Sequence, residues 1–193
     1  MANSKQSESE IILELAKKRG ALQFGEFQLS SGDTSSYYFD GRLITLDPEG
    51  AYAVAKAMMP ILRKCGAEAA AGPTLGADPI VSAVAVMSHI DGTPIPGLIV
   101  RKEEKAHGAK RGIEGPLREG ARVAIVDDTC TTGASLFHAI DAVEAAGCHV
   151  VKVVVILDRR QGGSDELRLR GYDFSSILEA TENGEIKAVL IPG

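Results

Sequence analysis

The chain has 193 residues with 45% hydrophobic and 24% charged residues, which are ordinary values for one globular domain spanning residues 1–193. Its net charge of −5 argues against a general nucleic-acid binder, and no apolar run is long enough to span a membrane. The three cysteines form no CxxC pair, which disfavours a disulfide framework or a zinc site and favours the reducing cytoplasm.

The first half of the chain alternates helical and extended patterns. Apolar residues at helical spacing predict a helix over residues 8–19 and another over 48–65. Residues 20–46 carry short extended stretches and a turn. A strand, a tight loop over Gly72–Pro79 and a third helix follow. The glycines of that loop would let a ligand approach the backbone closely, although a packed turn explains them equally well.

Three consecutive aromatic residues, Tyr37, Tyr38 and Phe39, occur in a chain with only 5% aromatic content. Successive side chains of a strand point to opposite faces, so at least one ring must leave the core side. The pattern is therefore compatible with a plain hydrophobic strand end and with a ring that stacks on a ligand.

A basic segment follows the predicted strand over residues 95–100. Residues 101–111 carry a net charge of +3 and, together with 112–113, show no apolar periodicity, which predicts a mobile loop over about 101–113. Such a run is usually a solvated face. Its position directly after a strand, in an otherwise acidic protein, also suits the binding of a polyanion.

The central stretch runs from Arg122 to Ser135. Four apolar residues over 123–126 predict a strand buried on both faces, and Asp127 and Asp128 come directly after it. A turn with four hydroxyl side chains then leads into a helix that ends near Gly147. Unpaired N–H groups at such a helix start suit a phosphate, whereas two acids suit ribose hydroxyls or a metal-bridged ligand.

Two simpler interpretations of this stretch are open. One is an ordinary strand–helix turn in which an acid caps the helix. A cap needs only one acid, so this is the weaker interpretation. The other makes Cys130 a nucleophile at a helix N-terminus, but no histidine partner is placed near it by the sequence.

The last third predicts a strand over residues 150–157, a short helix over 164–170 and a late strand around 172–178. Asp158 and Arg159 end the first of these strands, at the same sheet edge as Asp127 if the sheet is parallel. Arg159 either pairs with Asp158 on the surface or offers a planar donor pair to a substrate carboxylate.

Several segments resemble a known family. The segment VAIVDDTCTTGAS resembles the ribose-phosphate signature of type I phosphoribosyltransferases. The segments FGEFQLSSGDTSSYYFD, GADP, RKEEKAHG and LDR are similar to those of the orotate phosphoribosyltransferases, so the resemblance covers roughly residues 24–163. It implies an α/β fold with a parallel-sheet, Rossmann-like core, a small N-terminal hood over about residues 20–46 and a flexible catalytic loop.

The resemblance implies transfer of ribose 5-phosphate from phosphoribosyl pyrophosphate to orotate. The products would be orotidine 5'-monophosphate and pyrophosphate, in de novo pyrimidine biosynthesis (EC 2.4.2.10). It further implies Mg²⁺ as a cofactor carried mainly by the diphosphate, with no protein ligand assigned. It also implies a homodimer whose cationic loop reaches into the neighbouring site.

The resemblance also assigns roles to residues. Lys105, Asp127 and Asp128 are expected to act in catalysis. The residues expected to bind phosphoribosyl pyrophosphate are Arg101, Lys102, Lys105, His107, Asp127, Asp128, Thr129, Cys130, Thr131, Thr132, Gly133, Ala134 and Ser135. Those expected to bind orotate are Tyr38, Phe39, Thr131 and Arg159.

The chain departs from the enteric-type pattern of the family at two positions. Ser30 and Gly76 stand where that pattern has lysines. Two alternatives therefore stay open: a phosphoribosyltransferase for a purine or another base, and a non-catalytic regulator that senses nucleotides. The intact RKxxKxHG motif and the acidic net charge disfavour the regulator.

Overall fold

The computed structural model describes residues 6–28, 34–102 and 112–190. Its strands are β1 (Leu22–Gln28), β2 (Thr34–Phe39), β3 (Ala69–Pro73), β4 (Gly97–Val100), β5 (Ile113–Glu114), β6 (Arg122–Cys130), β7 (His149–Asp158), β8 (Phe174–Ala180) and β9 (Ile186–Ala188). Its helices are α1 (Glu8–Lys18), α2 (Arg42–Thr45), α3 (Pro48–Lys64), α4 (Asp78–Ile90), α5 (Ala134–Ala145) and α6 (Gly163–Leu169).

Within the described residues, seven strands form one sheet in the order β5-β4-β3-β6-β7-β8-β9. The five inner strands run parallel, and the edge strands β5 and β9 run antiparallel to their neighbours. This confirms the predicted parallel-sheet α/β fold. The chain order changes direction between β3 and β6, so the loops after these two strands open a crevice at the carboxyl edge of the sheet.

The inner strands are buried on both faces because helices cover both sides of the sheet. Ala124 and Val126 pack with residues of α1, α3 and α4. Val123 and Ile125 point the other way and pack with residues of α5 and α6. The prediction of a strand buried on both faces is therefore confirmed, and the central strand is held rigidly on both sides.

The hood is a separate antiparallel ribbon of β1 and β2, followed by the short helix α2. Its register pairs Leu22 with Phe39 and Phe24 with Tyr37. The hood strand packs against the turn between β8 and β9, where a Cβ atom built on Gly184 would collide with Ser36 Oγ. The described parts of the hood, residues 20–28 and 34–46, thus lie near the carboxyl edge of the sheet, and the end of β2 reaches the crevice.

Several elements differ from the sequence-based predictions, most of them by one or two residues at an end. The strand predicted over 123–126 continues through both acids to Cys130, because its end pairs with β7 as far as Asp158. Ile113, which the sequence places in the predicted mobile loop over 101–113, instead pairs with Val100 as part of β5, and residues 103–111 of that loop lie outside the described residues. The final segment contains β9, which the sequence does not predict, and β4 begins at Gly97 rather than 95. Helices of the described ranges are too short or too polar to cross a membrane.

Candidate active site

A pocket of about 300 Å³ opens at the crevice between the loops after β3 and β6. It is bounded by the end of β2 and the start of α2, by the loop after β3, by Lys102, and by the end of β6 with the first turn of α5. Its lining residues are Tyr38, Phe39, Asp40, Arg42, Pro73, Thr74, Leu75, Gly76, Lys102, Asp127, Asp128, Thr129 and Ser135.

Two adjacent carboxylates lie in this pocket. Asp127 is only 5% exposed, and its Oδ1 accepts the main-chain N–H of Asp128 at 2.9 Å. Its Oδ2 accepts the hydroxyl of Ser135 at 3.0 Å. Asp128 Oδ1 accepts the hydroxyl of Thr129 at 3.2 Å. The last residues of β6 and the first turn of α5 therefore fix both acids in place.

The environment of this pair favours a bound proton. Burial, and then the neighbouring charge of Asp128, raises the pKa of Asp127 to about 8. The pKa of Asp128 is also raised, mainly by burial. Two adjacent acids, one buried and one half-buried, repel each other, so positive charge or strong hydrogen-bond donors entering the pocket would favour their full ionisation.

The backbone on two sides approaches the acids closely. A Cβ atom built on Gly76 would lie 3.0 Å from Asp127 Oδ1 and 2.8 Å from Asp128 Oδ1. A Cβ atom on Gly41 would lie 2.6 Å from Asp128 Cβ. A side chain at position 76 would therefore require the two carboxylates to shift, so the glycine suits the acid arrangement seen here.

The turn between β6 and α5 offers main-chain donors. Gly133 occupies the N-cap position of α5 with a φ of 82°, which favours glycine, and no side chain caps the helix. The first-turn N–H groups are therefore available to an anion beside Ser135. The turn and the helix start are formed by Thr131, Thr132, Gly133 and Ala134. The carbonyl of Thr131 accepts the N–H of Gly163 at 3.0 Å.

Cys130 belongs to the core rather than to the pocket. Its side chain is fully buried between β6 and the helices on that face. Burial, followed by the charges of Asp158 and Asp127, raises the pKa of the thiol to about 12. A thiolate nucleophile is thus disfavoured, and any contact of Cys130 with a phosphate would come from its main chain.

The cationic residues predicted to bind diphosphate divide into three groups. Lys102 lines the pocket with the acids. The Arg101 guanidinium instead pairs with Glu114 at 3.3 Å, and Arg101 is not among the residues lining this pocket. Lys105 and His107 lie outside the described residues, as does Ser30.

The three aromatic residues alternate as a strand requires. Tyr38 is 40% exposed and lines the pocket together with Phe39, whereas Tyr37 and Phe39 pack into the core. The core interpretation is thus confirmed for Tyr37 and Phe39, whereas stacking of a ring on a ligand stays a prediction. Tyr38 is the ring most available to a planar ligand, and it also contacts Phe27 at a centroid distance of 5.8 Å.

Arg159 lies beside Tyr37 rather than on the surface with Asp158. Its Nε–H donates to Tyr37 Oη at 3.3 Å, and its guanidinium carbon lies 5.0 Å from the centre of the Tyr37 ring. Among the described residues, the buried Nη2 has no hydrogen-bond partner. Asp158 is buried and accepts the N–H of Arg160 instead. Arg159 faces an adjoining cavity of about 820 Å³.

Sequence reasoning missed Tyr37, Asp40 and Arg42 as site residues. Tyr37 orients Arg159, and the alternation of the aromatic run could have indicated it. Asp40 and Arg42 form an ion pair of 2.8 Å at the pocket rim. No local pattern marks that pair, because its place in the pocket depends on how the hood lies over the sheet.

The acid pair fits a metal that brings most of its ligands with it. Carboxylate oxygens are preferred Mg²⁺ ligands. The pKa values of Asp127 and Asp128 are raised, so a positive charge placed beside these acids would stabilise their ionised forms. In the described part of the chain, no group of three His, Cys, Asp or Glu residues could hold an ion by itself.

The fold and the pocket define a class of protein. The phosphoribosyl transferase domain family matches residues 72–178, which include the loop after β3, the acid pair and the turn before α5. The chain is thus a phosphoribosyltransferase.

Sequence relatives make the class more specific. An orotate phosphoribosyltransferase from Nostoc sp. is 46% identical over 82% of this chain and 77% of its own length. One from Aquifex aeolicus is 42% identical over 91% of this chain and 97% of its own length. The chain belongs to the orotate phosphoribosyltransferase family, and the predicted family and activity are confirmed.

Solved structures agree with this assignment. The Mycobacterium tuberculosis orotate phosphoribosyltransferase in complex with phosphoribosyl pyrophosphate is 32% identical, with a TM-score of 0.74, covering 90% of this chain and 96% of that one. An adenine phosphoribosyltransferase from Leishmania donovani is only 20% identical, with a TM-score of 0.65, so it shares the fold alone.

Proposed function

We propose that the pocket between the loops after β3 and β6 is where this chain transfers ribose 5-phosphate from phosphoribosyl pyrophosphate to orotate. The bond between ribose C1 and the diphosphate oxygen breaks, a bond from C1 to an orotate nitrogen forms, and pyrophosphate leaves. The observation that carries this proposal is the buried acid pair beside the uncapped start of α5.

The ribose 5-phosphate end of the substrate fits the acids and the turn. Main-chain N–H groups over residues 132–135 would hold the 5-phosphate, with hydroxyls from Thr129, Thr131, Thr132 and Ser135 nearby. Asp127 and Asp128 would accept the ribose hydroxyls. Positive charge developing on the sugar would lower the pKa of both acids and be stabilised by them, so no protein nucleophile is required.

The diphosphate end fits the opposite side of the pocket. Lys102 and the loop over Thr74–Gly76 line that side. Asp127 and Asp128 are the residues that would help to hold Mg²⁺ bound to the diphosphate, and the metal would neutralise charge on the leaving group. Lys105 and His107 are proposed as further diphosphate ligands, and closure of their loop would exclude water.

Orotate fits between the hood and Arg159. Tyr38 and Phe39 would lie against the pyrimidine ring, and Thr131 would help to place it. The orotate carboxylate would satisfy the buried Nη2 donor of Arg159, which Tyr37 already orients. An unpaired buried donor costs free energy until such a ligand arrives.

A second copy of the chain is the proposed partner. Exposed apolar side chains on α2, α3, α4 and the loop after β3 line a groove of about 720 Å³, namely Leu46, Tyr52, Leu75, Val86 and Ile90. Leu75 borders both this groove and the pocket. A homodimer formed on this face would place the neighbouring chain beside the pocket, as sharing of the cationic loop between subunits requires. Location in the cytoplasm stays a prediction.

The activity is tested by incubating the protein with phosphoribosyl pyrophosphate, Mg²⁺ and one base at a time. We expect the orotate absorbance to fall, with one pyrophosphate released for each orotate consumed. Turnover with hypoxanthine or adenine, but not with orotate, would contradict the proposal.

A further inference from the structure

The main chain of Arg101 is held at both of its polar groups. Its N–H donates to the carbonyl of Gly112 at 2.8 Å. Its carbonyl lies 2.8 Å from Nε2 of His138. A carbonyl can only accept, so His138 must carry its proton on Nε2 and donate it. The base of the cationic segment is thereby bound to a side chain from α5.

The helix that supplies His138 also forms the phosphate side of the pocket. Ala134 and Ser135 are in the first turn of α5, and His138 follows one turn later on the exposed surface. The preceding residue is also tied to the site, because the Val100 carbonyl accepts the N–H of Thr74 at 2.9 Å. Residues 100–101 therefore connect the loop after β3, helix α5 and Lys102, which all contribute to the pocket wall.

The orientation of the Arg101 main chain determines the direction of the Lys102 side chain. The Arg101 side chain turns away to Glu114, whereas Lys102 lines the pocket with the acids. If the Arg101 carbonyl were released, the peptide joining these residues could rotate and carry the Lys102 side chain with it.

We infer that His138 is a positioning residue, which holds the Arg101 carbonyl so that Lys102 points into the pocket. This inference rests on the proposed function, because it needs Lys102 to meet the diphosphate. Binding of the 5-phosphate at the start of α5 and binding of the diphosphate by Lys102 are then coupled through one helix. His138 itself is not among the residues that line the pocket.

The test compares two substitutions at His138. His138→Gln keeps an N–H donor at the reach of Nε2, whereas His138→Leu removes it. We expect the leucine variant to raise the KM for phosphoribosyl pyrophosphate about 5- to 10-fold, the effect of one lost hydrogen bond. The KM for orotate should stay within about twofold, and the glutamine variant should stay within about twofold of the parent.

Two controls separate positioning from a general structural effect. His149→Ala changes another exposed histidine, one outside the pocket, and should leave both KM values unchanged. In a Lys102→Ala background, His138→Leu should add almost nothing, because it acts through Lys102. The melting temperatures of the His138 variants should match that of the parent, because the side chain is exposed.

The inference is overturned if His138→Leu binds phosphoribosyl pyrophosphate as the parent does, or if the glutamine variant is equally impaired. It is also overturned if the leucine effect persists in full without Lys102. Absence of orotate turnover in the parent protein would instead refute the proposed function.

Discussion

The two sides of the pocket are built in different ways. The acid and phosphate side comes from one continuous stretch, residues 127–135, at the end of a strand buried by helices on both faces. The base side combines β2 at the pocket with Arg159 in the neighbouring cavity, and these two parts are far apart along the chain. The first side is rigid, and ionising its two adjacent acids costs free energy. The second side is assembled by the packing of distant segments. Substitutions on the two sides should therefore fail in different ways.

The largest expected effect is on the acid side. Asp127→Asn should lower kcat by about 100-fold or more, because the neutral amide cannot stabilise positive charge on the ribose. The amide can still accept the Asp128 N–H and donate to Ser135, so the fold should be kept. Steady-state kinetics would measure this. Asp141→Asn, an exposed acid on α5, is the matched control, and an unchanged kcat for Asp127→Asn would contradict the assigned role.

A smaller and more selective effect is expected on the base side. Arg159→Leu should raise the KM for orotate about 50-fold, because the substrate carboxylate loses its charged hydrogen-bond donor. The KM for phosphoribosyl pyrophosphate should change by less than about threefold, since that substrate fits the other side. Arg160→Leu is the control, because its guanidinium pairs with Glu179. An equal rise in KM for both substrates would contradict the assignment of separate sides to orotate and phosphoribosyl pyrophosphate.

The apolar groove adds a test of whether the pocket is complete in one chain. Val86→Asp places a charge on an α4 side chain that is 63% exposed. We expect a monomer in light scattering and an activity about 10-fold lower, because the neighbouring loop is lost. Leu169→Asp, on an exposed part of α6 outside the groove, should stay dimeric and active. A fully active monomer would show that the loop acts within its own chain.

The smallest expected effect is on stability. The folded pKa of Asp127 is about 8, above its ordinary value of 3.8, so the folded state binds the extra proton between these limits. The free energy of unfolding should therefore fall as pH rises from about 4 to about 8. Asp127→Asn removes this penalty, so its melting temperature should exceed that of the parent by about 3 °C at pH 8.5 and by less at pH 5. A difference independent of pH would contradict the raised pKa.

The same contrast explains what the sequence could predict. The strand, acids, turn and helix over 123–147 follow from local periodicity and residue type, and the structure has them in that order. The strand end at Cys130 depends on pairing with β7, which no local pattern reveals. Tyr37 with Arg159 and His138 with Arg101 are contacts between distant residues, so they emerge only from the packed fold.

The most direct test of the central claim is a crystal structure with bound orotidine 5'-monophosphate. We expect the phosphate against the N–H groups of residues 132–135 and the ribose hydroxyls on Asp127 and Asp128. The pyrimidine carboxylate should lie on Arg159. A nucleotide bound elsewhere, with the turn before α5 empty of phosphate, would contradict the account.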